Sequence, residues 1–245
     1  MTPAVKSWGE KLRKWQRTGD EKFAKAVLSK PGKTTLAREI PFPGVIVIMG
    51  DIRRGKTGLA FSIMDSFHKR RGLPGCLFLP FKLSPKKRKA LPSWVSVVNN
   101  MALLPKRSVV VFDEAAQTAH ARRAMSSDAI SLDALTALAG QRDQLIIYIA
   151  HFSRKLDPNL ITAAHRVIWK EPTQAHAMFE RDEMQMFTRR ALEVFADIKG
   201  NVTRLRTSYV MDFRHLRFST MTNGLPDWWC DELSRIFEDL VKKED

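Results

Sequence analysis

The chain has 245 residues, 44% of them hydrophobic, which is enough to bury the core of one sizeable α/β domain with decorations. Two cysteines, Cys76 and Cys230, exclude a disulfide framework and argue against a zinc site, and no apolar stretch approaches the ~20 residues of a membrane span. Lys and Arg number 41 against 26 Asp and Glu, a net charge of +15 that favours a polyanionic partner.

The charge is uneven along the chain. Residues 1–43 carry ten Lys/Arg against four Asp/Glu, Lys82–Lys89 (KLSPKKRK) carries five and no acid, and Asp227–Asp245 reverses the balance with seven acids against three bases. The first residues, MTPAVKSWGEKLRKWQR, lack the apolar core of a signal peptide, so a reduced, cytoplasmic compartment is expected.

In chain order, residues 1–30 read as a basic helical arm, followed by an extended linker between Pro31-Gly32 and Pro41-Phe42-Pro43. GVIVIM (44–49) is a continuous apolar, β-branched run, the pattern of a strand buried on both faces. A helix over about 56–70 places Leu59, Ile63 and Phe67 beside Ala60 and Met64. CLFLPF (76–81) reads as a second strand, and a basic, proline-bounded loop runs to about Pro92. WVSVVNN is a short strand, SVVVFDEA (108–115) a buried strand ending in two acids, and residues 128–143 a helix. LIIYIAH (145–151) and HRVIWK (165–170) are further strands. Strands alternating with helices imply a parallel sheet flanked by helices. Beyond it, Met184–Ile198 is helical, TRLRTSYVMD and LRFSTMT alternate as strands, and Trp228–Val241 reads as an amphipathic helix with Trp229, Leu233, Phe237 and Leu240 inward.

Gly-Lys-Thr occurs twice. At Gly32-Lys33-Thr34 the leading glycine position is Val27 and no strand precedes, so this copy reads as a turn or linker. At the second copy the phosphate-loop spacing is complete: Gly50, Asp51, Ile52, Arg53, Arg54, Gly55, Lys56, Thr57, then Gly58. A strand leads in and a helix leads out, which points backbone N–H groups at bound phosphates. Lys56 would contact the β- and γ-phosphates of ATP, and Thr57 with Asp113 would hold Mg²⁺. Glu114, beside Asp113, would orient and deprotonate the attacking water. Arg53 and Arg54 either touch phosphate or face solvent. His151 ends its strand at the edge where open α/β sheets bind ligands; it either senses the γ-phosphate or is a satisfied strand-end histidine.

The segment LAGQRDQLIIYIAHFSRKLDPNLITAAHRVIWKEPT, Leu138–Thr173, resembles the FtsK–HerA superfamily of DNA-pumping ATPases, which includes the packaging ATPases of membrane-containing tailless viruses. The resemblance covers roughly residues 44–172 and rests on Arg142, His151, Ser153-Arg154, Asp157-Pro158 and the run to Trp169; His151 stands where that family usually has glutamine. It implies a RecA-like P-loop core with a mostly parallel sheet (44–180), an N-terminal helical arm (1–43) and a C-terminal α+β extension (181–245). It further implies an ATP-driven double-stranded DNA translocase working as a homo-oligomeric ring, a hexamer or pentamer, with Arg142 as an arginine finger reaching a neighbour's nucleotide. Lys86, Lys87, Arg88 and Lys89, with Arg122 and Arg123, are the candidate DNA grips. Capsid or membrane-vesicle portal proteins are the implied further partners, and host cytoplasm or a virion packaging vertex the implied location. Two other readings fit: a filamentous-phage assembly ATPase similar to the zonula occludens toxin group, and a nucleic-acid-binding protein whose nucleotide site is structural.

Overall fold

The structure, a computed structural model, describes residues 21–79, 81–113, 136–156 and 158–236. In chain order these form helix α1 (Glu21–Leu28), strand β1 (Gly32–Thr34), helix α2 (Leu36–Glu39), strand β2 (Gly44–Met49), helix α3 (Lys56–Arg71), strand β3 (Gly75–Phe78) and helix α4 (Pro85–Ala90). Strands β4 (Val95–Val98), β5 (Ser108–Asp113) and β6 (Gln144–Ile149) follow, then helix α5 (Pro158–Ala163) and strand β7 (Arg166–Trp169). Helices α6 (Gln174–Phe179), α7 (Asp182–Ala196) and α8 (Asn201–Arg206) lead into strands β8 (Thr207–Asp212) and β9 (Arg217–Thr222), and helix α9 (Asp231–Ser234) closes the described chain.

The chain divides into two compact units. One takes in the described residues of Met1–Pro41, Val45–Lys56 and Ala150–Asn223. Its strands lie in the order β1-β9-β8-β7-β2. β2 pairs in parallel with β7, Ile46 opposite Arg166 and Met49 opposite Trp169. β2 and β7 are wholly buried, as their unbroken apolar runs require. The hairpin β8–β9 then adds two antiparallel strands, so the tail segment expected to alternate as strands extends the sheet. Thr203–Arg206, expected as the start of a strand, are helical and belong to α8.

The other unit takes in the described residues of Phe42–Gly44, Thr57–Ile149 and Gly224–Asp245. Its strands run β6-β5-β3-β4, all parallel. The apolar positions expected to face inward from α3 (Leu59, Ala60, Ile63, Met64 and Phe67) are all buried. The segment after Gly224 packs along α3. Phe61 lies 5.6 Å from the Trp228 ring and 5.7 Å from that of Trp229, and Trp228 Nε1 donates to Asp65 Oδ1 at 2.8 Å. Mostly parallel strands joined by helices make this an α/β protein, as the alternation in sequence implies.

Four local expectations are corrected. Gly32-Lys33-Thr34 is a short edge strand, not a turn or linker, because its backbone finds a parallel partner in Ser219–Met221 of β9. The stretch expected as a basic loop contains α4, with Pro85 in its first turn and helix-tolerant Lys and Arg after it. Of the helix expected over 128–143, only 136–138 of the described part are helical, with a turn to 143. The last helix begins at Asp231 instead of Trp228, since the two tryptophans precede it in a turn; Leu233 is buried as expected, and Phe237 and Leu240 lie outside the described residues.

One buried ion cluster ties the first unit's sheet together. Asp212, 1% exposed, meets Arg166 at 3.1 Å, Arg217 at 3.0 Å and His215 Nδ1 at 2.8 Å, while Arg166 also reaches Glu39 at 3.2 Å. Burial pushes the Asp212 carboxyl up, but hydrogen bonds from His215 and Arg217 and the Arg166 charge outweigh it and hold the group below the usual carboxylate range. A depressed folded-state pKa means the stabilisation is complete above the unfolded value and is lost as pH falls through the folded one. Asp212→Asn is therefore expected to cost about 1.5–3 kcal/mol at pH 7, the range for hydrogen bonds to a charged group, because His215 and Arg217 are themselves largely exposed. Thermal unfolding should show this gap to wild type shrinking below about pH 4.

Candidate nucleotide site

The loop between β2 and α3 leaves a buried strand and enters a helix whose first residue is Lys56. Three of its residues adopt left-handed backbone conformations: Gly50 (φ 138°), Arg53 (φ 58°) and Gly55 (φ 82°). The two glycines stand where the loop spacing needs them. Lys56, 7% exposed, folds its ammonium back onto the loop, donating to Gly50 O at 2.8 Å and Asp51 O at 2.7 Å. Of the two arginines left open by the sequence, Arg54 pairs with Glu171 at 3.2 Å and Arg53 faces solvent.

His151 stands beside that lysine. Ala150 N donates to Ile48 O at 3.0 Å, and His151 Nδ1 lies 3.1 Å from Lys56 Nζ. An ammonium can only donate, so Nδ1 is the acceptor and carries no proton. Two residues that the sequence pattern did not single out fix this stretch. His176 Nε2 donates to His151 O at 3.0 Å, and its Nδ1 accepts from Thr173 Oγ1 at 2.8 Å. Burial lowers the pKa of His176, consistent with the neutral ring these bonds require. Glu180, 4% exposed, accepts from Ser153 N and Ser153 Oγ, both at 2.7 Å, fixing the turn after His151.

A third such residue lies under the loop. Lys170, which follows β7, is fully buried; its backbone N donates to Met49 O at 2.8 Å. A Cβ on Gly50 would stand 2.7 Å from Lys170 O, and one on Gly55 would stand 3.5 Å from Lys170 Cε. The ammonium donates to Leu205 O at 2.6 Å and Thr207 O at 2.8 Å, with Ser208 Oγ and Asn223 Oδ1 each at 3.3 Å. The signal for it in sequence is a charge closing an apolar strand run, the same signal that singled out Asp113 and His151.

In the second unit, Thr57 lies in the first turn of α3 and Asp113 ends β5, half-buried. A hydroxyl and a carboxylate are oxygen donors of the kind Mg²⁺ takes when it keeps most of its waters. Among the described residues no group of three or more His, Cys, Asp or Glu could hold a metal by itself. Arg142 precedes β6, at the opposite end of the β5–β6 pair from Asp113; its NH2 donates to Leu104 O at 2.6 Å and its Nε to Gln144 Oε1 at 3.1 Å. On α4, Lys86 pairs with Glu232 at 2.8 Å, Lys87 donates to Arg235 O, Arg88 donates to Val95 O at 2.8 Å and Lys89 is exposed. Glu114, Arg122, Arg123 and Asp157 lie outside the described residues. No described helix is long and apolar enough to cross a membrane.

No family model matches the chain, and no curated protein matches it. Among solved structures it is similar to B204, the DNA-packaging ATPase from Sulfolobus turreted icosahedral virus (TM-score 0.48, 13% identity, 74% of this chain and 98% of that one). It is similar also to the genome-packaging NTPase B204 of Sulfolobus turreted icosahedral virus 2 in complex with AMPPCP (TM-score 0.48, 12% identity, 75% of this chain and 100% of that one). A KaiC-like protein of Pyrococcus horikoshii OT3 is similar over less of the chain (TM-score 0.35, 11% identity, 53% of this chain and 73% of that one). The functional reading rests on the residues of the loop and its surroundings.

The close approach of Lys170 makes a comparison of two glycines informative. A Cβ on Gly72 (φ 64°) would have nothing within 4 Å, whereas one on Gly50 would meet backbone atoms. Gly72→Ala should cost about 1–2 kcal/mol, the left-handed penalty alone. Gly50→Ala should cost about 3 kcal/mol or more, because strain and backbone overlap add. Thermal denaturation of the two variants measures the difference; equal losses would contradict the packing described.

Proposed function

We propose that the chain hydrolyses ATP at the Gly50–Thr57 loop. The observation that carries this reading is the loop itself: complete spacing, left-handed glycines, a buried strand before it and a helix after it, with Lys56 turned onto the loop's own carbonyls. On binding, the Lys56 ammonium exchanges Gly50 O and Asp51 O for phosphate oxygens, a charge-assisted contact stronger than the ones it leaves. Thr57 and Asp113 would hold Mg²⁺, which would supply charge neutralisation at the phosphates. Water attacks the γ-phosphorus, the bond to the β-phosphate oxygen breaks, and Glu114 takes the water proton. His151 faces Lys56 and is placed to respond when that lysine moves to phosphate.

The finer reading is a motor that moves double-stranded DNA through a homo-oligomeric ring into a viral capsid. The +15 charge and the Leu138–Thr173 resemblance support it. Lys86, Lys87, Arg88, Lys89, Arg122 and Arg123 are the proposed grips on the phosphate backbone, and Arg142 the proposed finger on a neighbouring copy's nucleotide.

Lys56→Ala is expected to abolish ATP hydrolysis, while Lys33→Ala, on the edge strand β1, should leave it within about twofold; removal of a group essential to phosphoryl transfer costs orders of magnitude. Double-stranded DNA should raise the wild-type rate. An inactive Lys33→Ala with an active Lys56→Ala would move the site to the first Gly-Lys-Thr.

Mixing tests the ring. Arg142→Ala and Lys56→Ala proteins should each be inactive alone and should recover part of the hydrolysis when mixed, because some interfaces then join an intact loop to an intact finger. Labelled-subunit exchange confirms that copies mix. No recovery in demonstrably mixed rings would leave Arg142 as the tether between Leu104 and Gln144 that its contacts describe.

A further inference from the structure

We propose that Lys170 is a second, buried cation of the phosphate site: a positioning residue that forms the floor of the loop and takes up a proton together with polyphosphate. The inference rests on the reading of Gly50–Thr57 as that site.

The geometry is unusual for a lysine. The side chain is fully buried, and every atom its ammonium touches is an uncharged oxygen: Leu205 O, Thr207 O, Ser208 Oγ and Asn223 Oδ1. No carboxylate among the described residues pairs with it. Its stem runs against the loop, with Cε 3.5 Å and Nζ 3.9 Å from where a Gly55 Cβ would stand. The ammonium therefore lies close to the loop backbone at Gly55, and its four acceptors tie that stretch to α8, β8 and the residue after β9.

The charged groups on the neighbouring elements are accounted for elsewhere. On the loop, Lys56 bonds to Gly50 O and Asp51 O, Arg54 pairs with Glu171, Arg53 is exposed, and the Asp51 carboxylate acts on His176. Glu171, next to Lys170, also meets Arg204 of α8 at 3.2 Å. Arg206 ends α8 and is exposed. Arg166 of β7 and Asp212 of β8 belong to the cluster with Glu39, Arg217 and His215. His151 and His176 are held by the bonds described above.

Burial pulls the Lys170 pKa down to about 7. Negative phosphate charge on the other side of the loop favours the ammonium, so the bound form holds more proton than the free form. Near pH 7 a lysine that is partly deprotonated in the free protein and fully protonated in the bound form takes up a fraction of a proton per nucleotide. The sign follows: binding is favoured by low pH, and Kd rises by up to about tenfold per pH unit above 7 until the bound-state pKa is reached. Lys170→Met keeps the stem and removes the charge. Lys170→Arg keeps a charge that does not titrate in this range.

The test is isothermal titration of the full chain with a non-hydrolysable ATP analogue and Mg²⁺, in buffers of different ionisation enthalpy. The expected result is a larger proton uptake in wild type than in Lys170→Met between about pH 7 and 8, and a flatter Kd–pH profile in both variants. Equal uptake and equal pH slopes in wild type and Lys170→Met overturn the inference and leave the nucleotide site standing. If wild type binds no nucleotide, the proposed function falls and this inference with it. Should Lys170→Met fail to fold, NMR of wild type labelled at lysine ¹³Cε decides: one resonance titrates near pH 7 and moves upward with the analogue, and its absence overturns the proposal.

Discussion

The loop Gly50–Lys56 lies against the end of β7 because Gly50 has no side chain. Gly50 meets the backbone of Lys170 and Gly55 its aliphatic stem, at separations a Cβ at Gly50 could not tolerate. The rest of the site follows from that contact. With the loop seated, Lys56 reaches the carbonyls of Gly50 and Asp51, His151 reaches Lys56, and His176 and Glu180 hold the backbone on which His151 and Ser153 stand. The strongest bonds in this arrangement are charge-assisted and partly shielded from water, where each contributes more than an exposed pair would.

Much of this was legible in sequence where the signal is local. GVIVIM, SVVVFD and LIIYI are strands because unbroken apolar, β-branched runs leave no face for water, and all three are buried. The complete loop spacing pointed to Gly50–Thr57, and the stretch has the strand before it and the helix after it that such spacing implies. What escaped depends on partners distant in the chain. Gly32–Thr34 is a strand only because β9 offers it an edge, and the basic stretch after Ser84 is a helix whose Lys86 meets Glu232. Lys170 showed as a charge at a strand end, yet nothing local says that Leu205, Thr207, Ser208 and Asn223 converge on it.

The charge distribution has a structural counterpart in the second unit. The acidic segment after Asp227 is not simply a tail: Asp227 meets Lys69 at 2.9 Å, and Glu232 meets Lys86. These pairs are exposed and individually weak, and the tryptophans packed against Phe61 anchor the segment. A polyanion approaching α4 therefore competes with carboxylates already in place, and salt screens those pairs along with the approach.

An experimental structure with a non-hydrolysable ATP analogue and Mg²⁺ decides whether polyphosphate binds at Gly50–Thr57. The expected complex has the β-phosphate against the loop's backbone N–H groups, Lys56 Nζ moved from Gly50 O and Asp51 O onto phosphate oxygens, and the metal on Thr57. A nucleotide bound elsewhere, with Lys56 still on its own loop carbonyls, would contradict binding at this loop.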